Sequence, residues 1–146
     1  MDFRTFYNAV IVDLTPQPWT YTDTSGTTLT VIPAGLREDP GMAEILVRIT
    51  EPGTEPIEAG ILTTDLPAMI DALTGNRMWS YETLIGVYCD LAPFGGGGML
   101  LILSEDVEAV EAQPQVHVPE AQRLPLASAL GRALDVARGW EDQPAA

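Results

Sequence analysis

The stretch from Leu84 to Leu103 is the most apolar part of the chain, and it constrains the fold more than any other. Two apolar runs of strand length, 84–91 and 99–103, flank a connector that ends in four consecutive glycines. Short apolar runs bounded by glycine and proline are typical of strands buried on both faces. The stretch therefore predicts a hairpin at the centre of a sheet, with the rest of the chain packed on it.

The register of an earlier hairpin follows from which side chains must share a face. Trp19 and Tyr21 alternate with threonines, and Leu29 and Val31 do the same on the returning strand. A two-residue turn would place the two pairs on opposite faces, whereas a three-residue loop ending in Gly26 places all four on one face. We therefore predict a type I turn with a glycine bulge, which pairs Tyr21 with Leu29 and Trp19 with Val31.

Three segments have the patterns of helices. The clearest runs from an N-cap at Thr64 to a stop at Gly75, and its apolar residues recur at helical spacing. A short acidic helix is predicted over 105–112, with its acidic residues in the first turn. A last helix is predicted to open at Pro125 and to close at Gly139.

The order of elements predicts the α+β class. Five strands precede the first helix, including one over Thr5–Leu14 and a hairpin made of Glu44–Thr50 and Ile57–Leu62. Short connections favour antiparallel pairing, so we expect a mostly antiparallel sheet of about six to seven strands with two to three helices packed on one face. Residues 1–140 are predicted to form a single domain and 141–146 a flexible acidic tail. No internal repeat is found at spacings of about 20–50 residues.

The net charge restricts the kinds of partner that the chain is expected to bind. The 146 residues carry a net charge of −14, with seven basic residues that are all arginine. Because nucleic-acid binding depends on neutralising phosphates with Lys and Arg, nucleic acid is not expected as a partner. Anionic membranes are disfavoured for the same reason. The absence of a signal peptide, of an apolar run of about 18 residues and of paired cysteines predicts a cytoplasmic protein.

No set of residues has the pattern of a catalytic, cofactor or metal site. The Gly95–Gly98 run lies between two strands and has no lysine, so it does not match a phosphate-binding loop. It is either a mobile hairpin tip or a loop that orders against a partner, with Phe94 as its anchor. Cys89 is expected on an apolar face as inert packing rather than paired with His117. We predict no cofactor, and the pattern favours a non-enzymatic protein.

A connector upstream of the central hairpin combines residue types that are enriched at protein interfaces. It contains Arg77, Trp79 and Tyr81, and arginine and aromatic residues dominate binding energy at such surfaces. These three residues, together with Phe94, are the predicted protein contacts. The alternative is that Trp79 and Tyr81 only cover the end of the core.

These observations lead to a functional hypothesis with two alternatives. The chain is predicted to be a small acidic protein-binding domain, such as an inhibitor, an immunity protein or a chaperone-like adaptor, with a basic protein as its partner. The first alternative is an enzyme or binder of small molecules with a cleft between sheet and helices. The second is a self-assembling component, for example a homodimer that pairs through a sheet edge or the last helix.

Overall fold

The computed structural model describes residues 18–35, 43–105 and 113–142. These ranges contain eight strands and two helices. The strands are β1 (Trp19–Thr22), β2 (Thr28–Gly35), β3 (Ala43–Thr50), β4 (Ile57–Leu62), β5 (Trp79–Glu82), β6 (Tyr88–Phe94), β7 (Gly98–Ser104) and β8 (Gln115–Val118). The helices are α1 (Leu66–Gly75) and α2 (Glu120–Glu141).

The strands form two antiparallel sheets of four strands each. Sheet A has the order β1-β2-β3-β4 and sheet B the order β5-β6-β7-β8, so neighbours in sequence are neighbours in space. A helix follows each sheet. The predicted α+β class and antiparallel pairing are therefore confirmed, but a single sheet of six to seven strands is wrong, because α1 separates two sheets.

The first hairpins of the two sheets repeat one another at a spacing of 60 residues. Trp19 and Tyr21 of β1 have counterparts in Trp79 and Tyr81 of β5. The following turns also match, since Asp23 N–H donates to Thr27 O at 2.9 Å and Thr83 N–H donates to Val87 O at 2.9 Å. The chain therefore contains two units of four strands and a helix. The spacing of their first hairpins is longer than the spacings of about 20–50 residues at which the sequence shows no repeat.

The predicted register of the first hairpin is confirmed. Tyr21 pairs with Leu29 and Trp19 with Val31. Gly26 has a φ of +85° and its N–H donates to Asp23 O at 3.1 Å, as a type I turn with a glycine bulge requires. The left-handed conformation explains why glycine occupies this position.

The second hairpin corrects the predicted strand over 84–91. Leu84 to Gly86 form a turn, and Gly86 has the same φ of +85° as Gly26. Strand β5 begins within the stretch predicted as a connector, and β6 begins only at Tyr88. Apolar periodicity misplaced the strand because Leu84 and Ile85, although apolar, lie at the apex of a turn.

One hydrophobic core joins both sheets and both helices. It contains the inward-facing residues of the strands, such as Leu29, Ile45 and Leu101, together with Met69 of α1 and Leu130 of α2. Each sheet packs one face on this core. On the opposite face of sheet A, Ile32, Ala34 and Leu46 form a second, smaller buried cluster. Within the described ranges, neither helix combines the length and the hydropathy that a transmembrane span requires.

The helix boundaries differ from those predicted. Asp65, not Thr64, is the N-cap of α1, and Asn76 ends the helix with a left-handed φ of +53°. Helix α2 begins before Pro125, at Glu120, and continues past the predicted stop to Glu141. The Thr63 hydroxyl donates to the Glu141 carboxylate at 2.9 Å, which fixes this end of α2 against the chain that leads into α1.

Some predictions concern residues that the structure leaves undescribed. The strand over Thr5–Leu14 lies outside the described ranges, and so does almost all of the helix over 105–112. The single domain over 1–140 and the flexible tail over 141–146 stay predictions.

The partly buried carboxyl group of Glu44 predicts how the stability of the fold depends on pH. Its carboxyl group lies over Gly60, and burial, followed by the charge of Glu58, raises its pKa. Glu44 therefore stabilises the fold while it is protonated, and this contribution is lost as pH rises from the unfolded-state pKa through the higher folded-state pKa. We expect Glu44→Gln to raise the free energy of unfolding, with a gain that grows above about pH 4.5 and then levels off.

Urea denaturation across a pH series measures this effect. Glu55→Gln is the matched control, because it removes the same charge from an exposed position in the loop between β3 and β4. The control should show no comparable rise with pH. A Glu44→Gln variant that loses stability at neutral pH would contradict the prediction.

Candidate functional site

The outward face of sheet B carries aromatic and apolar side chains that the core does not use. We call this surface the aromatic face; its residues are Tyr88, Phe94, Leu100, Ile102 and His117. They alternate along their strands with the buried residues of the core, which places them on the opposite side of the sheet. Phe94 is 51% exposed, so a large apolar ring is available to a ligand.

Cross-strand pairing sets the geometry of the aromatic face. His117 of β8 lies opposite Leu100 of β7, and Phe94 of β6 lies opposite Gly98 at the start of β7. The rings of Phe94 and His117 meet edge to face, with centroids 5.1 Å apart and an angle of 81° between their planes. This contact presents two rings side by side on one sheet surface.

Gly98 makes room for the imidazole. A β-carbon at Gly98 would lie 3.0 Å from His117 Nε2 and 2.9 Å from the backbone oxygen of Phe94. The imidazole therefore lies over a position that only glycine leaves open. The close approach of backbone and ring explains the last glycine of the run.

Helix α2 holds the tip of the same hairpin. Arg123 Nη1 donates to Gly97 O at 2.7 Å, and the Glu120 side chain packs against the Cα of Gly97. Gly95 and Gly97 have φ values of +56° and +91°, which glycine adopts without strain. The glycine run therefore forms a turn whose second half is braced by α2, and this brace fixes the end of β6 that carries Phe94.

Sheet A also contributes to the position of His117. Asp23 Oδ1 accepts hydrogen bonds from the backbone N–H groups of Ser25 and Thr27, at 2.9 and 3.0 Å. Asp23 Oδ2 accepts a further bond from the backbone N–H of His117 at 3.2 Å. The turn between β1 and β2 thus ties edge strand β8 in place.

Positive charge is scarce on both outward faces. The strands of sheet B contain no lysine or arginine. On sheet A, Arg48 Nε lies 2.6 Å from Glu58 Oε1, so an acidic side chain balances the charge of this arginine. The face of sheet A that points away from the main core carries threonines on β1 and on the first half of β2, and the buried Ile32 and Ala34 on the second half of β2. Neither strand has an aromatic residue on this face. The aromatic face therefore suits contacts that do not depend on charge.

The structure does not bring the four predicted contact residues together. Trp79 and Tyr81 lie on the inward face of sheet B, packed against the core, with stacked rings 5.5 Å apart. Arg77 is exposed and its Nη2 donates to Asp71 O at 3.2 Å. Phe94 is on the outward face. The geometry therefore matches the alternative that Trp79 and Tyr81 cover the end of the core.

Tyr81 has a structural partner. Its hydroxyl donates to Asp65 Oδ2 at 2.7 Å. Burial, and then this hydrogen bond, raise the pKa of Tyr81 to about 12. The side chain thus links β5 to the N-cap of α1.

Sequence reasoning missed Tyr88 and His117 as surface residues. Each alternates with buried neighbours along its strand, so correct strand boundaries would have placed both on the outward face.

Cys89 points inward and is fully buried, and burial raises the pKa of its thiol. It is therefore inert packing on the opposite side of the sheet from His117, as expected. Among the described residues, no group of three potential ligands could hold a metal ion.

No family profile and no curated protein sequence matches the chain, but solved structures share its fold. MRP1/MRP2 of Trypanosoma bruciei is 14% identical and has a TM-score of 0.59, with 96% of this chain and 97% of that chain covered. The plant transcriptional regulator PBF-2 is 12% identical, with a TM-score of 0.55 over 85% of this chain and 83% of that chain. WHY1 from Arabidopsis thaliana is 14% identical, with a TM-score of 0.55 over 87% of this chain and 94% of that chain. At these identities the likeness shows the fold alone.

These similarities correct two predictions. One structure with this fold is a transcriptional regulator, a kind of protein that acts on nucleic acid, so the exclusion of nucleic acid is wrong. The acidic protein-binding adaptor is wrong for the same reason, and a basic protein partner, a homodimer and the two alternative functions gain no support. The physical reason is that net charge sums over the whole surface, whereas one sheet face can bind by contacts that need little charge.

Proposed function

We propose that the chain is a single-stranded nucleic-acid-binding protein that holds bases against its aromatic face. The observation that carries the proposal is the exposed Phe94 ring beside His117 on an open antiparallel sheet. The fold, which the chain shares with a plant transcriptional regulator, supports it.

Stacking supplies the binding energy in this proposal. Every base has a π-face, and stacking on an aromatic side chain contributes about 1–3 kcal/mol per base. Phe94 and His117 offer adjacent rings, while Leu100 lies opposite His117 and gives apolar contact next to them. Sheet surfaces with exposed aromatic residues bind unpaired bases in other folds by the same physics.

The shortage of cations favours a single strand over a duplex. Duplex binding relies on neutralising closely spaced phosphates, for which the strands of sheet B have no lysine or arginine. A duplex also hides the faces of its bases. A single strand exposes them, and it can turn its phosphates away from Glu82 and Asp90 on the same side of the sheet.

Fluorescence anisotropy with labelled oligonucleotides tests the proposed function. Single-stranded DNA, single-stranded RNA and a duplex of the same sequence are titrated with the full chain at several salt concentrations. We expect single strands to bind more tightly than the duplex. We also expect a shallow salt dependence, with a slope of log K against log salt weaker than about −1.5, because about one or two phosphates are neutralised.

Two results would overturn the proposal. One is the absence of binding to either single strand at micromolar protein. The other is a preference for the duplex with a steep salt slope, which would place the contacts on phosphates instead of on bases.

A further inference from the structure

Two large apolar side chains stand at the apex of the turn between β5 and β6. Leu84 is 85% exposed and Ile85 is 66% exposed. We call them the apolar tip. Exposed apolar residues scattered singly are ordinary on a protein surface, but these two are adjacent at the apex of a turn and expose most of their area to solvent.

The turn itself does not require these residues. The matching turn of the first unit has Thr24 and Ser25 in the same two positions. Both turns close with the same backbone hydrogen bonds, and Gly26 and Gly86 share a φ of +85°. Polar residues therefore satisfy this geometry, and the apolar pair needs another explanation.

The turn presents the apolar tip rigidly. Thr83 Oγ1 accepts a hydrogen bond from the backbone N–H of Val87 at 3.0 Å, and Thr83 is buried. Gly86 N–H donates to Thr83 O at 3.1 Å. Because the base of the turn is held on both sides, the two side chains are presented at the end of the sheet without further ordering of the backbone.

The apolar tip lies at the end of β6 opposite to Phe94. Strand β6 begins just after the turn with Tyr88, an outward residue, and ends with Phe94. The two ends of β6 are about 20 Å apart, given about 3.3 Å per residue. A nucleic-acid strand that follows β6 from Phe94 therefore reaches the apolar tip after a few nucleotides.

We propose that Leu84 and Ile85 insert between neighbouring bases of a bound single strand and unstack them. The inference rests on the proposed function. Apolar side chains such as leucine and isoleucine act as wedges between base steps in proteins that deform nucleic acid. Insertion buries the exposed apolar area against base faces, and it needs none of the positive charge that sheet B lacks.

The repeat supplies the variant that tests this inference. Leu84→Thr with Ile85→Ser gives the second turn the two residues of the first, so the fold is expected to be retained. The matched control is Thr24→Ala with Ser25→Ala on the first turn. Each protein is titrated into a single strand that contains 2-aminopurine, whose fluorescence rises when neighbouring bases unstack.

We expect the wild type to raise the 2-aminopurine fluorescence on binding. The L84T/I85S variant should lose this rise and bind about tenfold more weakly, while the control should behave as the wild type. Thermal unfolding by circular dichroism checks that the variant is folded, and Leu84→Ser alone replaces the double variant if it is not.

The outcomes separate the two proposals. If the wild type binds no single strand, the proposed function fails and the inference fails with it. If the wild type binds and L84T/I85S gives the same affinity and the same fluorescence rise, the inference alone is overturned, and the bases are held by the aromatic face without a wedge.

Discussion

Phe94→Ala is expected to weaken the binding of single-stranded oligonucleotides by about 10- to 100-fold. The change removes a ring that is 51% exposed on the aromatic face, and loss of one stacked base costs about 1–3 kcal/mol. Stability should change little, because the ring lies on the outward face of the sheet, where it meets His117 edge to face, and does not fill the core. Anisotropy titrations at one fixed salt concentration measure the effect.

Two further variants test whether the loss of affinity comes from the aromatic ring at position 94. Phe94→Trp keeps an aromatic platform and should retain most of the affinity. Met78→Ala removes a more exposed apolar side chain, at 75%, from the connector before β5, and it should leave affinity unchanged. Equal affinities for Phe94→Ala and the wild type would mean that bases do not stack on this ring.

The first hairpin shows what sequence can predict. Its register follows from a local rule, since only a three-residue loop keeps Trp19, Tyr21 and their partners on one face. The second hairpin obeys the same rule but was missed. Its turn residues are Leu84 and Ile85, and apolar residues count toward a strand in any periodicity argument. The signal that could have found it was the spacing of 60 between Trp19 and Trp79.

The candidate site could not be predicted from residue types alone, because strand pairing decides which face of the sheet each residue lies on. Trp79 and Tyr81 have the composition of a contact surface, yet their pairing with Leu91 and Cys89 turns them toward the core. Phe94 is among the predicted contact residues and is exposed, but its neighbour His117 lies 23 residues later in the chain, on another strand. Only the pairing of β7 with β8 brings His117 to the same face.

Net charge misled the prediction of partners for a related reason. The value of −14 is a property of the whole chain, and it describes long-range repulsion of phosphates, which salt screens. Contact with a base is made over a few ångströms by side chains whose π-faces are uncharged. A surface that uses stacking can therefore bind a polyanion despite unfavourable total charge, at the cost of a slower encounter.

Gly98→Ala is expected to impair both the fold and the site, whereas Gly96→Ala should impair neither. A β-carbon at Gly98 would lie 2.9 Å from Phe94 O and 3.1 Å from Val118 O, and backbone atoms of two paired strands cannot easily move. A β-carbon at Gly96 would meet nothing within 4 Å. Overpacking of this kind costs about 1–3 kcal/mol, which urea denaturation measures directly.

The same substitution tests how the aromatic face is built. The added methyl group would also lie 3.0 Å from His117 Nε2, so the imidazole must leave its place beside Phe94. We therefore expect Gly98→Ala to bind single strands more weakly than Gly96→Ala under conditions in which both variants are fully folded. If Gly98→Ala is destabilised but binds as the wild type does, the His117 ring contributes packing only, and stacking depends on Phe94 alone.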